Sequence, residues 1–319
     1  MTPFRPDPAL CARFQADMAA LLPNGPRHLG LAVSGGPDSL ALLLLAHASL
    51  PNVSAATMDH GLRAESADEA RHVAALCAQL GVPHQILHPA TPPKGNISSW
   101  ARDARYAALE KWAAEQGVDA LATAHHADDQ LETLLMRLNR GAGVAGLAGI
   151  RPRLGALVRP LLGWTKAELI ALVKAAGIVA AEDPSNSDDR FDRARMRKAL
   201  DQVNWLDARA AARSAAALAE ADRALDWATA KALAEGAGAD AKGRLTIDPE
   251  GLPQAIRLRL LRACLARIHP DAAPRDDEVL RLLALLEAGR TATLAGVKAM
   301  GGARWTFVPA PPRRITRNS

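Results

Sequence analysis

The residues best suited to chemistry lie in one short run, Leu31-Ala32-Val33-Ser34-Gly35-Gly36-Pro37-Asp38-Ser39-Leu40. An apolar, strand-like segment enters Ser-Gly-Gly and leaves straight into a helix-like one. Small residues and free backbone N–H groups therefore meet at a helix amino terminus. Unpaired N–H groups and the helix dipole both favour an anion there, phosphate above all. The run is not a Walker A loop: it lacks Gly-Lys-Ser/Thr, and no Lys or Arg occurs between Arg27 and Arg63. A phosphate here must be held by the free backbone N–H groups of the Ser34–Ser39 loop, by the Ser34 and Ser39 hydroxyls, and by a metal on Asp38.

A second cluster is Thr123-Ala124-His125-His126-Ala127-Asp128-Asp129-Gln130-Leu131-Glu132. Asp129 and Glu132 are three apart on a helix expected to open at a strand's carboxyl end. That spacing turns both carboxylates to the crevice where open α/β sheets take ligands. Two carboxylates suit Mg²⁺ or a cationic amine, or else form a solvated acidic first turn favoured by the dipole. His125-His126 has neither a Cys nor a third ligand at zinc spacing, so the pair reads as structural or nucleotide-contacting. Arg105 lies mid-helix beside Tyr106, with Arg102 one turn earlier, a pattern shared with ordinary surface charge rows. Arg193 and Arg197 share a helical face that suits pyrophosphate or an RNA backbone, and equally a solvated basic face. Gly141-Ala142-Gly143-Val144-Ala145-Gly146 spells G-x-G-x-x-G but follows a helix, so its context is wrong for a dinucleotide site. It reads as a mobile loop over the site, or a plain linker.

The elements that must position these groups follow a strand-then-helix rhythm. Apolar runs of strand length at 29–33, 53–58, 84–87 and 120–123 precede helical stretches at 39–48, 65–80, 97–116 and 127–140. Such alternation predicts a parallel sheet with helices on both faces. A fifth strand is expected at 156–159, and a helix opening on the capping box Thr165-Lys166-Ala167-Glu168 and stopping at Gly177. A polar turn at 182–189 leads into an Arg-rich stretch at 190–200. Beyond Leu206 the rhythm gives way to helices at 207–235, 253–268 and 276–287, a small hairpin pairing 291–294 with 304–308, and a fraying tail at 309–319.

These expectations define an α/β catalytic domain over 1–206 and a smaller, mainly helical domain over 207–319. The 319 residues carry 39 Lys+Arg against 34 Asp+Glu, a formal +5. The balance is uneven, net −3 over 1–189 and +8 over 190–319, as expected for a catalytic unit joined to a polyanion-binding one. It also fits Arg that merely solubilises Ala-rich helices. About one residue in five is Ala and aromatics are 3%, so helices should dominate over aliphatic cores. No apolar run reaches membrane-spanning length and no hydrophobic leader is visible, so a cytoplasmic protein is expected. Three distant cysteines, Cys11, Cys77 and Cys264, exclude a disulfide framework and a CxxC metal site.

The Ser34–Ser39 run resembles the PP-loop of the N-type ATP pyrophosphatases, which cleave ATP between the α- and β-phosphates. Met58-Asp59-His60-Gly61-Leu62-Arg63, Ala104-Arg105-Tyr106, the His125–Thr133 run, the glycine-rich loop through Gly149, and Glu182-Asp183-Pro184-Ser185-Asn186 with Phe191–Arg197 follow in order. Together, over some 160 residues, they resemble the tRNA(Ile)-lysidine synthetases. The resemblance implies a parallel-sheet, adenine nucleotide α-hydrolase-like PP-loop domain followed by a helical, basic, tRNA-contacting domain. It implies ATP as co-substrate with Mg²⁺, free L-lysine, and an isoleucine tRNA bearing CAU as partners, and no membrane. Asp38, Arg105, Asp129, Glu132, Arg193 and Arg197 would be catalytic, with Asp129 and Glu132 on the lysine amino groups and Arg105 near the reacting phosphate. Ser34–Ser39, Asp59, His60 and His125 would bind nucleotide, with Asp38 on the metal. Ala194 replaces the family's usual Asn, and the chain is too short for the second carboxy-terminal domain of long members. The oligomeric state stays open, a homodimer included.

Three rivals meet particular residues. A PP-loop tRNA thiolase needs reactive or cluster-binding cysteines, and none of the three is near the site motifs. A glutamine amidotransferase needs a nucleophilic Cys, whereas position 2 is Thr2. A non-catalytic nucleotide- or RNA-binding module has no use for Asp38, Arg105, Asp129 and Glu132 together.

Overall fold

The computed structural model describes residues 4–62, 65–181, 192–200 and 202–311, and of residues 98 and 192–194 the backbone alone. Arg63, the expected polar turn at 182–189, residues 190–191 and most of the expected tail lie outside these. The chain forms two compact units, residues 1–219 and 220–319. The division falls inside α9 (Ala208–Gly236) rather than near 206. Arg209, in the first turn of that helix, reaches Glu168 at 2.6 Å, which ties the start of the helix to the first unit.

The first unit is built on a six-stranded sheet of order β3-β2-β1-β4-β6-β5. Its strands are β1 (Leu29–Ala32), β2 (Val53–Met58), β3 (His84–Leu87), β4 (Ala120–Ala122), β5 (Arg153–Leu154) and β6 (Leu157–Val158). All pairings are parallel except β5 with β6, an antiparallel edge. The expected strands are present, and β5 is additional. α2 (Pro37–Ser49), α3 (Ser66–Leu80), α4 (Ile97–Glu115) and α5 (Ala127–Asn139) follow their strands as the alternation predicts.

α2 is buried on every side: Leu40 through Ala46 are all at most 1% exposed. A helix apolar all round must be covered on every face, and here α1 (Pro8–Leu21) and α7 (Lys166–Ala175) pack on α2, as does the sheet. α1 starts where Asp7 Oδ1 accepts the Ala9 N–H (2.8 Å) with Pro8 at the first position, and it buries Phe14 and Met18. α7 opens on the expected capping box, the Thr165 N–H donating to Glu168 Oε2 at 2.7 Å. The Arg-rich stretch forms α8 (Asp192–Leu200).

The second unit contains the end of α9, α10 (Gln254–Ile268) and α11 (Asp276–Glu287), as expected. It also holds an antiparallel sheet of order β7-β8-β11-β10-β9, formed by β7 (Ala237–Ala239), β8 (Leu245–Ile247), β9 (Thr291–Leu294), β10 (Val297–Met300) and β11 (Trp305–Pro309). The expected partner of 291–294 was 304–308, yet β9 pairs with β10, which lies between them. The chain reverses through Ala295 (φ 46°) and Gly296 (φ 77°), a two-residue turn with positive φ at both positions that matches strand twist. Trp305 and Phe307 of β11 and Leu260, Leu283 and Leu286 of the helices fill this unit's core. Among the described residues no helix is long and apolar enough to cross a membrane.

Candidate active site

Strand order explains where the chemistry collects. The chain runs outward from β1 to β2 and β3, then returns to place β4 on the other side of β1. The crevice between the carboxyl ends of β1 and β4 is thus a topological switch point, where open α/β sheets bind ligands. The loop after β1 carries Ser34–Ser39, and the loop after β4 carries His125–Glu132.

At the first loop, Gly35 adopts φ +90°, a conformation only glycine takes without strain, and a Cβ there would lie 3.3 Å from Val73. Ser39 Oγ donates to the Gly36 carbonyl (2.9 Å) and accepts the Ser34 N–H (3.1 Å), closing the turn on itself. The Ala181 N–H donates to the Gly35 carbonyl (2.9 Å) and pins the loop from outside. Gly36 caps α2 with no side chain and Pro37 takes the first helical position, so the first-turn N–H groups have no intrahelical acceptor.

At the second loop, His126 is 2% exposed and sits among three carboxylates. Its Nε2 lies 3.5 Å from Asp38 Oδ2 and 3.5 Å from Asp129 Oδ2, and its Nδ1 lies 3.4 Å from Asp128 Oδ2. Burial alone would strip its proton. Asp128, Asp38 and Asp129 outweigh that and push the imidazole up to about 10, so at neutral pH it is a cation. Asp128 Oδ2 also takes the Lys166 N–H at 2.8 Å, at the start of α7. Burial would raise Asp128, but His126 and that N–H hold its carboxyl below the usual range.

Asp129 Oδ2 accepts the His126 backbone N–H (3.1 Å) as a helix cap, and its Oδ1 faces Arg197 (3.4 Å). Glu132, 4% exposed, takes Arg197 Nε on Oε1 at 2.5 Å. Burial disfavours the Arg197 charge, yet Glu132 and Asp129 raise its pKa above the ordinary value. Two carboxylate oxygens, Asp38 Oδ1 and Glu132 Oε2, are buried with no hydrogen-bond partner among the described residues. Unpaired buried carboxylate oxygens are costly, and a cationic ligand relieves that cost.

The other expected residues are spread around this centre. His60 follows β2, packs edge-on against Trp100 (6.1 Å between centroids), and has both ring nitrogens buried without a partner. Burial first, then the Arg105 charge, lowers the His60 pKa, with Asp59 opposing them. Asp59 builds the loop itself: its Oδ1 accepts Ser66 Oγ (2.7 Å) and the Gly61 N–H (2.8 Å). His125 Nδ1 bonds Thr123 Oγ1 at 2.9 Å. Arg193 lies in α8, and its side chain is outside the described residues.

The glycine-rich segment is tied down. It holds a short helix, α6 (Val144–Leu147), and Arg137 of α5 donates to the Gly146 (2.6 Å) and Gly149 (3.1 Å) carbonyls. Gln130 brackets Ile150, accepting its N–H (2.6 Å) and donating to its carbonyl (3.2 Å). This anchoring replaces the mobile loop read from the glycines.

The sequence reads His125 and His126 alike as structural or nucleotide-contacting and carries only His125 among the nucleotide-binding residues, yet His126 is the one that meets three carboxylates. Its signal was present: a His flanked by Asp128 and Asp129 at a strand end is set to become an imidazolium once a third carboxylate arrives. Only the pairing of β1 with β4 brings Asp38.

Comparison with known proteins fits this site. The family described as PP-loop domain matches residues 10–204, so fold and site define a PP-loop ATP-binding protein. The tRNA(Ile)-lysidine synthase of Novosphingobium aromaticivorans is 48% identical over 316 residues, covering 96% of this chain and 95% of that protein. That of Zymomonas mobilis is 44% identical over 296 residues, covering 90% and 89%. The chain belongs to the tRNA(Ile)-lysidine synthase family. A U34-tRNA thiolase, NcsA from Methanococcus maripaludis, superposes with a TM-score of 0.54 at 18% identity, over 66% of this chain and 78% of that one, a likeness of fold alone. A thiolase reading is not favoured here. The Cys77 and Cys264 thiols are buried and pushed up to about 12, which keeps them protonated and unreactive.

Proposed function

We propose that the protein joins free L-lysine to C2 of the wobble cytidine of an isoleucine tRNA with a CAU anticodon, converting ATP to AMP and pyrophosphate, in a cytoplasmic setting. The observation that carries this reading is the convergence of Asp38, Asp129 and Glu132 through His126 and Arg197 at the switch point, in a chain of this family.

The 2-carbonyl oxygen of the cytosine attacks the α-phosphate, pyrophosphate leaves, and an adenylated base results. The lysine ε-amine then attacks C2, loses a proton, and expels AMP. Ser34–Ser39 hold the leaving phosphates with backbone N–H groups at the α2 terminus. Asp38 Oδ1, a buried hard donor with no hydrogen-bond partner among the described residues, would hold Mg²⁺. That ion would neutralise charge on the leaving pyrophosphate.

His126 holds Asp38 and Asp129 side by side, so both loops keep one geometry while nucleotide and amine arrive. Asp129 and Glu132 orient the lysine ammonium groups. Arg197, which the sequence suits to pyrophosphate or RNA, also pairs with those two carboxylates. It thereby holds their oxygens in place and leaves Glu132 Oε2 for the incoming amine. His60 and Arg105 would face the nucleotide. Positioning and charge neutralisation supply most of the acceleration.

The test is incubation with ATP, labelled lysine and a CAU-bearing isoleucine tRNA transcript. Label should enter that RNA and not the methionine tRNA with the same anticodon. No transfer, or equal transfer to both, overturns the reading.

A further inference from the structure

Trp205 is 78% exposed, although tryptophan is among the most buried residues on average. It stands in the short connection between α8 and α9. The Gln202 and Val203 N–H groups donate to the Ala199 (3.3 Å) and Leu200 (2.9 Å) carbonyls, so the chain turns tightly off the end of α8. α8 holds four cations, Arg193, Arg195, Arg197 and Lys198, against one acid, Asp192. Of these, Arg195 and Lys198 are exposed, while Arg197 reaches into the carboxylate centre. A strongly basic helix thus touches the carboxylate centre through Arg197 in its last turn, and an exposed indole follows five residues after the helix ends.

The reach is limited. Three helical residues from Arg197 to Leu200 span about 5 Å, and five more at full extension add at most ~17 Å. An RNA loop of several unpaired nucleotides covers that span. Exposed cations recognise its phosphates, and an exposed indole offers an apolar face to an unstacked base. An acidic protein partner would meet the cations, but it would not account for a basic helix that reaches the centre at which the RNA substrate proposed above reacts.

We infer that α8 and Trp205 form a docking surface for single-stranded RNA, on which the indole stacks a base of the loop that delivers the reacting cytidine. This rests on the tRNA substrate proposed above.

The experiment uses the full chain with Trp205→Ala and Trp205→Phe, an anticodon stem-loop bearing CAU, and the lysine-transfer assay. One stacked base corresponds to roughly a tenfold or larger affinity change. W205A should therefore raise the Kd for the stem-loop and the KM for tRNA about tenfold and leave the KM for lysine and ATP unchanged. W205F should recover most of the loss. The emission that W205A removes should be the emission quenched when the stem-loop binds wild type. RNA affinity and quenching unchanged in W205A, with or without a lowered Tm, would overturn the stacking surface while the function stands. Wild type that fails to bind the stem-loop would overturn both.

Discussion

Replacing His126 by Asn removes the positive centre of the site while keeping a side chain of similar size. In the native protein its ring nitrogens lie 3.4–3.5 Å from carboxylates of Asp38, Asp128 and Asp129. At that distance and an effective dielectric of ~20, each contact is worth about 5 kcal/mol of attraction before desolvation. Most of this offsets the desolvation of the buried imidazolium and of carboxylates that are only partly buried, so the sum is no measure of net stability. Removing one partner is a different matter, because it leaves the carboxylates uncompensated at a typical cost of about 3–5 kcal/mol. With a urea m-value of ~2–3 kcal/mol/M, the midpoint should fall by roughly 1–2 M. Adding Asp128→Asn should then restore part of the loss, since it removes a stranded charge, whereas two independent sites would lose stability additively. Urea unfolding followed by far-UV circular dichroism reads all four proteins. A midpoint for H126N within ~0.3 M of wild type, or additive losses in the double variant, would refute the buried-imidazolium account.

Glu132→Gln removes the charge that Arg197 Nε and the proposed lysine ammonium share. The lysine KM should rise roughly 10- to 100-fold, in line with losing a charged hydrogen bond, with ATP binding little changed; an unchanged lysine KM would place the amine elsewhere. Glu168 collects Arg13 (2.7 Å), Arg209 (2.6 Å) and the Thr165 N–H (2.7 Å). Burial would raise its pKa, but these partners pull it down to about 2. A depressed carboxylate stabilises the fold above its unfolded pKa near 4.5, and the effect fades as pH falls toward 2. Discounted for solvent, about 1–2 kcal/mol should separate wild type from Glu168→Gln at pH 7 and shrink by pH 2 in urea midpoints; a gap independent of pH would count against it. Gly35→Ala forces a side chain into φ +90° against Val73. It should cost about 1–2 kcal/mol and weaken ATP binding by calorimetry, and full ATP affinity would argue against the loop as the phosphate cradle.

Much of the fold was legible because the first unit repeats a local rule. Each apolar run at 29–33, 53–58, 84–87 and 120–123 precedes a helix, and the continuous apolar face of Leu40–Ala46 announces a helix covered on every side. The second sheet was not legible. Ala237-Gly238-Ala239 has no β-propensity, and Ala295-Gly296 lacks the Asn-Gly signature of a two-residue turn, so β7 and β10 carry no local signal. The site divides in the same way. Ser34–Ser39 and the Asp129/Glu132 spacing are local patterns, and reading them needs no tertiary structure. That His126 approaches Asp38, and that Arg197 pairs with Glu132, follows from side chains 88 and 65 residues apart meeting across the switch point. No spacing rule contains that information.

The most direct test of the central claim is the identity of the nucleoside made. After incubation with ATP and lysine, the CAU-bearing isoleucine tRNA is digested to nucleosides and analysed by mass spectrometry. The wobble cytidine should be replaced by a species heavier by one lysine less one water, with one AMP released per nucleoside changed. An unmodified wobble cytidine despite AMP release, or lysine attached at any other position, would contradict the account.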